Sequence, residues 1–189
     1  MSIEIVEFAV APGRIDDLIV ATVKQVTDPR GTIRELFRRS AFEAVGIELA
    51  PFGQINVTES GRGVIRGMHA EQMTKLVSVA SGEAFGAYVD LRPDSPTYGV
   101  VETTALRPGV QVLVPAGVAN GFQALTDRCQ YVYCFDAEWV PGMAGRSCTP
   151  LDDQLAIPWP LPIDPTDQSQ ISAKDRGAPR FAQLSEEDS

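Results

Sequence analysis

Short apolar stretches separated by turn residues run through the middle of the chain. Runs rich in valine, isoleucine, leucine, tyrosine and phenylalanine occupy residues 75–80, 84–91, 100–105, 111–114 and 130–135. The turn signals between them include Ser81-Gly82, Arg107-Pro108-Gly109 and Pro115-Ala116-Gly117. Many short strands at spacings of roughly 8–12 residues are typical of a β-sandwich, jelly roll or barrel. The pattern therefore predicts an all-β domain.

Two stretches near the N-terminus depart from this pattern. Around Leu18 the apolar positions fit both a helical stripe and a β-branched strand, and length does not decide between them. Residues 34–45 favour a helix that ends at Gly46. The residues that would share its apolar face are Phe37, Ala41, Ala44 and Val45.

The C-terminal third, from Pro141 onward, is rich in proline and aspartate. This composition predicts loops and short helices that wrap around the barrel. We expect one domain over residues 1–184, and we expect the final Ser-Glu-Glu-Asp-Ser of residues 185–189 to form a solvated tail.

The charge of the chain excludes some classes of function. Its 189 residues carry 16 Lys and Arg against 25 Asp and Glu, a formal net charge of −9. Bulk binding of nucleic acid needs a basic face, so no nucleic-acid partner is expected. The net charge does not exclude a small anionic ligand, since a local cluster of arginines can outweigh the acidic field of the whole protein. The single histidine excludes a multi-histidine metal centre.

The cysteines and the apolar runs bear on location. Cys129, Cys134 and Cys148 are odd in number and show no Cys-x-x-Cys spacing, which favours reduced structural thiols. No run is long enough to span a bilayer, and the first residues do not have the basic start of a signal peptide. We therefore expect a cytoplasmic protein without a membrane partner.

The densest chemical pattern is Gly63-Val-Ile-Arg-Gly-Met-His69, followed by Lys75. In an extended strand Arg66 and Met68 would share one face, and His69 would point to the other. An imidazole is well suited to remove a proton near neutral pH, a lysine stabilises a developing oxyanion, and an arginine suits phosphate. The residue types alone leave a structural histidine and solvated charges as the alternative.

An ordered set of segments resembles a known family. The chain is similar to the dTDP-4-dehydrorhamnose 3,5-epimerase family from about residue 18 to about residue 181, which implies a cupin-type double-stranded β-helix (jelly roll) with short peripheral helices. The segments that carry the resemblance are 28–31 (Asp-Pro-Arg-Gly), 54–56 (Gln-Ile-Asn), 63–69, 75–77 (Lys-Leu-Val), 89–99 (Val-Asp-Leu-Arg-Pro-Asp-Ser-Pro-Thr-Tyr-Gly), 114–117 (Val-Pro-Ala-Gly), 120–122 (Asn-Gly-Phe), 157–160 (Ile-Pro-Trp-Pro) and 171–175 (Ile-Ser-Ala-Lys-Asp).

The resemblance implies an isomerase that acts on a nucleoside-diphosphate 4-keto-6-deoxyhexose without a metal or organic cofactor. The keto group makes the hydrogens on C3 and C5 acidic, so a base removes one and a proton returns from the opposite face. By resemblance, His69 is the base, Asp175 orients its imidazole, and Lys75 stabilises the oxyanion.

The resemblance also implies a homodimer and a set of substrate-binding residues. Arg30 and Arg66 would hold the diphosphate and sugar, and Glu35 would contact the nucleobase. The full set of substrate-binding residues expected from the resemblance is Arg30, Glu35, Gln54, Asn56, Arg66, Asn120, Tyr133 and Trp139.

Three positions depart from the family pattern. Trp139 stands where the family has a proton-donating tyrosine, and an indole N–H does not transfer a proton near neutral pH. Asn120 replaces a second histidine, and Gly86 replaces the aspartate that accompanies it. Their joint replacement would leave no buried carboxylate without a partner.

These departures leave three mechanisms open. The proton could come from water or from a tyrosine of the core strands, with inversion at one centre or two. His69 could instead return the proton on its own face, which gives exchange or keto–enol isomerisation without inversion. The chain could also bind a sugar nucleotide without turnover. The candidate tyrosines are Tyr88, Tyr131 and Tyr133.

Overall fold

Antiparallel strands form almost all of the regular structure. The structure, a computed structural model, describes residues 3–187. The strands within this range are β1 (Glu4–Val6), β2 (Ala9–Pro12), β3 (Ile19–Thr22), β4 (Gln25–Asp28), β5 (Gly31–Arg34), β6 (Gln54–Ser60), β7 (Ile65–Glu71), β8 (Lys75–Ser81), β9 (Ala84–Asp90), β10 (Val101–Leu106), β11 (Val110–Val114), β12 (Val118–Ala124), β13 (Cys129–Phe135) and β14 (Gly145–Ser147). The helices are α1 (Arg39–Glu43), α2 (Ala173–Arg176) and α3 (Phe181–Glu187).

Two sheets enclose the core. One has six strands in the order β2-β3-β11-β8-β13-β6, and the other has five in the order β10-β9-β12-β7-β14. A buried cluster joins them, in which Phe122 of β12 stacks on Tyr131 of β13 with ring centroids 4.0 Å apart. A separate three-stranded sheet, β1-β4-β5, comes from the N-terminal segment. The predicted all-β class is confirmed.

The predicted strands of the core agree closely with the observed ones. The five apolar runs correspond to β8, β9, β10, β11 and β13, and each boundary differs by at most one residue. Around Leu18 the chain forms the strand β3, which pairs with β2 on one side and β11 on the other. Two neighbouring strands satisfy its backbone groups, and this decides a case that local sequence left open.

The predicted helix over 34–45 is wrong in its extent. Residues 31–34 form β5, and the helix α1 is confined to Arg39–Glu43. Phe42 is its buried residue and packs against Phe8 and Phe37, whereas Val45 of the predicted apolar face is 46% exposed. Strand pairing with β4 and this aromatic cluster override the helical pattern.

The C-terminal third forms loops and short helices, as the composition predicted. Ser172 caps α2, since its Oγ accepts a hydrogen bond from the backbone N–H of Asp175 at 3.0 Å. Helix α3 continues to Glu187, three residues into the predicted tail. Residues 188 and 189 of that tail lie outside the described range.

The three cysteines are free and buried, in agreement with the sequence prediction. Across residues 3–187, no helix has the length and apolar character that a membrane span requires.

A close approach between two strands of the five-stranded sheet positions β7. Gly67 has φ +118°, and a Cβ at this position would lie 2.5 Å from Cα of Gly121 in β12. Such contacts are too short for any side chain, so glycine at both positions lets the strands meet. The next residues of β7, Met68 and His69, are thereby held against β12.

Candidate active site

A cavity of about 380 Å³ opens between the two sheets. Strands β6, β8 and β13 of the six-stranded sheet form one wall, β7 and β12 form the other, and α2 closes one side. The lining residues are Asn56, Thr58, Arg66, Gly67, His69, Glu71, Lys75, Asn120, Tyr133, Phe135, Trp139, Ser172, Lys174 and Asp175.

His69 and Asp175 meet in this cavity although 106 positions separate them in the sequence. Nε2 of the imidazole lies 2.7 Å from Oδ1 of Asp175. The other carboxylate oxygen accepts a weaker bond from the backbone N–H of Gly67 at 3.4 Å. With Nε2 hydrogen-bonded to a carboxylate, Nδ1 is the ring nitrogen that accepts a proton.

The carboxylate of Asp175 is suited to support a charged imidazole. Burial acts to raise the pKa of Asp175, but the hydrogen bond and charge of His69, with the Gly67 N–H, hold it below its usual value. An ionised carboxylate that fixes the tautomer and orientation of a histidine is a recurring device in proton transfer.

Lys75 is the buried cation of the site, with 2% of its surface exposed. Its Nζ donates to the backbone carbonyl of His69 at 3.0 Å and to Oδ1 of Asn120 at 2.7 Å. It also forms an ion pair with Glu71. Burial lowers the pKa of Lys75, and the Glu71 carboxylate opposes this effect.

Of the three candidate phenols, Tyr133 lines the cavity. It lies on β13, in the sheet opposite His69, and burial raises the pKa of its hydroxyl while the charge of Arg66 opposes the rise. Tyr88 and Tyr131 are fully buried in the core and do not line the cavity. Tyr133 is therefore the candidate phenol that shares the cavity with His69.

The departures from the family pattern have a structural account. A Cβ at Gly86 would lie 2.7 Å from the hydroxyl oxygen of Tyr88, so an aspartate at this position has no room. The amide oxygen of Asn120 instead accepts a hydrogen bond from Lys75. Trp139 lines the cavity, and its ring is half exposed at the mouth.

Arg66 and Asn56 line the cavity as expected, but three other predicted binding residues do not. Arg30 is an exposed residue of the β4–β5 turn that pairs with Asp28, and Glu35 pairs with Arg38. Gln54 does not line the cavity but hydrogen-bonds two residues that do. Its Oε1 accepts the backbone N–H of Trp139 at 2.8 Å, and its Nε2 donates to Asn56 at 3.0 Å.

Sequence reasoning missed two charged residues of the cavity. Glu71 follows His69 by two positions in the same strand, so strand periodicity alone places both on one face. Lys174 directly precedes Asp175 in the Ser-Ala-Lys-Asp segment. Within residues 3–187, no group of three or more His, Cys, Asp or Glu side chains is arranged to hold a metal ion.

Comparison with known proteins agrees with this fold. Residues 12–183 match the sequence family described as dTDP-4-dehydrorhamnose 3,5-epimerase. The dTDP-4-dehydrorhamnose 3,5-epimerase of Methanothermobacter thermautotrophicus is 37% identical over 178 residues, which cover 90% of this chain and 92% of the relative.

Solved structures give the same result. NovW, a 4-keto-6-deoxy sugar epimerase from the novobiocin biosynthetic gene cluster of Streptomyces spheroides, has a TM-score of 0.86 and 31% identity, covering 97% of this chain and 92% of its own. RmlC of Legionella pneumophila, a dTDP-6-deoxy-D-glucose-3,5-epimerase in complex with dTDP-4-keto-L-rhamnose, has a TM-score of 0.82 and 34% identity, covering 94% of this chain and 97% of its own.

The fold and its relatives define a carbohydrate epimerase built on a cupin-type jelly roll. Within that class, the chain belongs to the dTDP-4-dehydrorhamnose 3,5-epimerase family. The predicted family, jelly-roll fold and isomerase class are confirmed.

The histidine–aspartate contact makes a prediction for nitrogen-15 NMR. Because His69 is the single histidine, its ring gives one pair of nitrogen signals. We expect the neutral imidazole to carry its proton on Nε2 in the wild type. We expect a mixture of tautomers in Asp175→Asn, since an amide is a weaker acceptor and also offers a donor.

The matched control is Asp153→Asn, which removes a carboxylate that is 93% exposed and pairs with Arg180. It should leave the wild-type tautomer unchanged. A wild-type imidazole protonated on Nδ1 would contradict the assignment of Nδ1 as the proton acceptor.

Proposed function

We propose that this protein epimerises a nucleoside-diphosphate 4-keto-6-deoxyhexose of the dTDP-4-dehydro-6-deoxyglucose kind, at C3, C5 or both, in deoxysugar biosynthesis. The observation that carries the proposal is the His69–Asp175 pair, which shares one cavity with the buried Lys75. The named relatives act on or bind sugars of this class. The cytoplasmic location expected from the sequence remains a prediction.

In the proposed reaction, Nδ1 of His69 removes a proton from the carbon next to the ketone. The electron pair moves onto the keto oxygen, and Lys75 stabilises the resulting enolate. Tyr133 then donates its proton to the opposite face of the same carbon. Solvent exchange returns the imidazole and the phenol to their starting forms, so no redox partner or cofactor is required.

The cations of the cavity support binding of a diphosphate. Arg66 donates to Ser60 at 3.1 Å and keeps further guanidinium donors for a ligand, while Lys174 contributes a second positive charge. Asn56 and the ring of Trp139 lie at the same cavity and suit polar and stacking contacts with a sugar nucleotide.

We further propose that a second copy of this chain completes the site. Strands β5 and β6 are free edges of their sheets, and an unpaired edge is a template for pairing. Ile33 on β5 is 72% exposed, and Ile55 and Val57 on β6 are 62% and 59% exposed. Asn56 and Thr58 of β6 also line the cavity. Docking of the partner's β5 edge against β6 would therefore bring the partner's Arg30 and the partner's Glu35, which stand at the two ends of that strand, to the mouth of the cavity.

The first prediction for this function concerns hydrogen exchange. In D₂O, the wild type should replace the hydrogen on C3 or C5 of dTDP-4-keto-6-deoxyglucose with deuterium. Proton NMR measures the rate at which the signal of each carbon-bound hydrogen is lost. His69→Ala should slow exchange by about 10²–10⁴-fold, the range for a positioned acid–base group. Exchange at the wild-type rate in His69→Ala would show that His69 is not the base. Nucleotide binding without exchange in the wild type would favour a binding module.

A second prediction separates the two faces of the sugar. Tyr133→Phe should lower inversion by about 10²-fold or more while exchange at the same carbon continues, because His69 still removes and returns a proton. The matched control is Tyr88→Phe, which removes a fully buried hydroxyl that does not line the cavity. Equal inversion in Tyr133→Phe and wild type would exclude Tyr133 as the donor.

The proposed dimer is tested by the mass of the protein in solution. We expect sedimentation to give the mass of two chains, and we expect the double variant Ile55→Asp/Val57→Asp to give one, because charges on both exposed apolar positions oppose edge docking. Val45→Asp, at an exposed valine outside both edge strands, should remain dimeric. A monomeric wild type would contradict the proposal.

A further inference from the structure

Lys75 is a buried cation whose donors all have acceptors. The carbonyl oxygen of His69, Oδ1 of Asn120 and the carboxylate of Glu71 each accept a hydrogen bond from its Nζ. An ammonium group has three donors, so none is left for a ligand. A ligand oxygen that binds Lys75 must therefore replace one of these acceptors.

Glu71 is the acceptor that a ligand can replace. The carbonyl of His69 belongs to the backbone of β7, and Asn120 is 5% exposed within β12. The side chain of Glu71 is 20% exposed and lines both the cavity and an adjoining groove. Of the two side-chain acceptors, Glu71 is the more exposed, and it alone also borders the adjoining groove.

Glu71 is also the anion in contact with Lys75 within the described part of the chain. Asp175, the other carboxylate of the cavity, is bonded to His69. The charged and titratable groups that line the cavity around Lys75 are Arg66, His69 and Glu71 on β7, Lys174 and Asp175 on α2, and Tyr133 on β13. Without Glu71, Lys75 would keep only neutral acceptors.

The contact with Glu71 affects the protonation of Lys75, because burial and the nearby carboxylate act on the lysine in opposite directions. Burial disfavours the ammonium form and lowers its pKa, whereas the Glu71 charge and hydrogen bond act to raise it. In the same pair, burial acts to raise the pKa of Glu71, but the Lys75 charge and hydrogen bond bring it below its usual value. Each group thus stabilises the charged form of the other.

We propose that Glu71 is a positioning residue that keeps the buried Lys75 side chain charged before substrate binds, and that it then moves aside so that one N–H of Lys75 binds the keto oxygen of the substrate. The second part rests on the proposed epimerase function, because it assigns the enolate oxygen to Lys75. The first part is a property of the ligand-free protein and is tested without any substrate.

The first test follows the protonation of Lys75 by NMR. The chain has three lysines, Lys24, Lys75 and Lys174, so protein labelled with carbon-13 at lysine gives few side-chain signals, assigned with Lys24→Arg and Lys174→Arg. In Glu71→Gln the titration midpoint of Lys75 should move to lower pH by about one unit or more, the effect of removing a close opposite charge.

The control variant is Glu59→Gln, which changes a half-exposed glutamate on β6 and should leave the Lys75 midpoint unchanged. Glu71→Asp keeps the charge but shortens the side chain, so its midpoint should lie between those of wild type and Glu71→Gln. A Lys75 titration that superimposes in wild type and both Glu71 variants would overturn the proposal.

The second test is the pH profile of kcat/KM for epimerisation. Because the enolate needs a charged Lys75, the alkaline limb should move to lower pH in Glu71→Gln by the shift seen in NMR. Below that limb, KM should stay equal or fall, since a neutral amide gives up the N–H more easily. A KM raised more than about tenfold there would show that Glu71 itself binds the substrate.

Failure of the inference and failure of the proposed function are distinguishable. A wild type that exchanges no hydrogen on the keto sugar would refute the epimerase while the NMR titration still reports on Lys75. An active wild type with unchanged profiles in Glu71→Gln would refute only the role of Glu71.

Discussion

The hydrogen bond between His69 and Asp175 requires two distant parts of the chain to meet. It joins β7, in the middle of the chain, to a short helix close to its end. The C-terminal segment must first return across the five-stranded sheet, where Ile65 donates its N–H to the carbonyl of Gln170 and Met68 exchanges two backbone bonds with Cys148. The cap at Ser172 then holds the backbone N–H of Asp175, whose carboxylate reaches the imidazole. A histidine–carboxylate pair that backbone contacts hold on both sides is pre-organised, so little entropy is lost in orienting it.

The second constraint is the burial of charge. A cation as deeply buried as Lys75 is expensive unless its donors are satisfied and an anion lies close. Glu71 and Asn120 meet these two demands together, one with charge and one with a neutral amide oxygen. At position 86 the Tyr88 hydroxyl fills the space that a side chain would need, so no second buried carboxylate stands there. The polar contacts of Lys75 are thus one ion pair, one side-chain amide and one backbone carbonyl.

Local patterns predicted the core strands well and the N-terminal segment poorly, for a physical reason. Strands β8, β9, β11 and β13 are buried on at least one face, so their apolar runs end where the burial ends. The stretch over 34–45 is mostly exposed, and its structure is decided by pairing with β4 and by Phe42 packing into an aromatic cluster. Helical periodicity in a segment this short is weak compared with such tertiary contacts. Arg30 and Glu35 illustrate the same limit, since a sequence motif does not say on which side of the molecule a turn will lie.

By itself, the sequence determined the all-β class, the strand boundaries of the core, the family and the candidate trio of His69, Lys75 and Asp175, because hydrophobic period and ordered motifs are local properties that survive without coordinates. Only the tertiary structure decided that Tyr133 shares the cavity with the histidine while Tyr88 and Tyr131 are buried in the core, and that Glu71 accepts a hydrogen bond from Lys75. Those facts depend on how two sheets pack face to face, and the distance between side chains on different strands is set by that packing, not by their spacing along the chain.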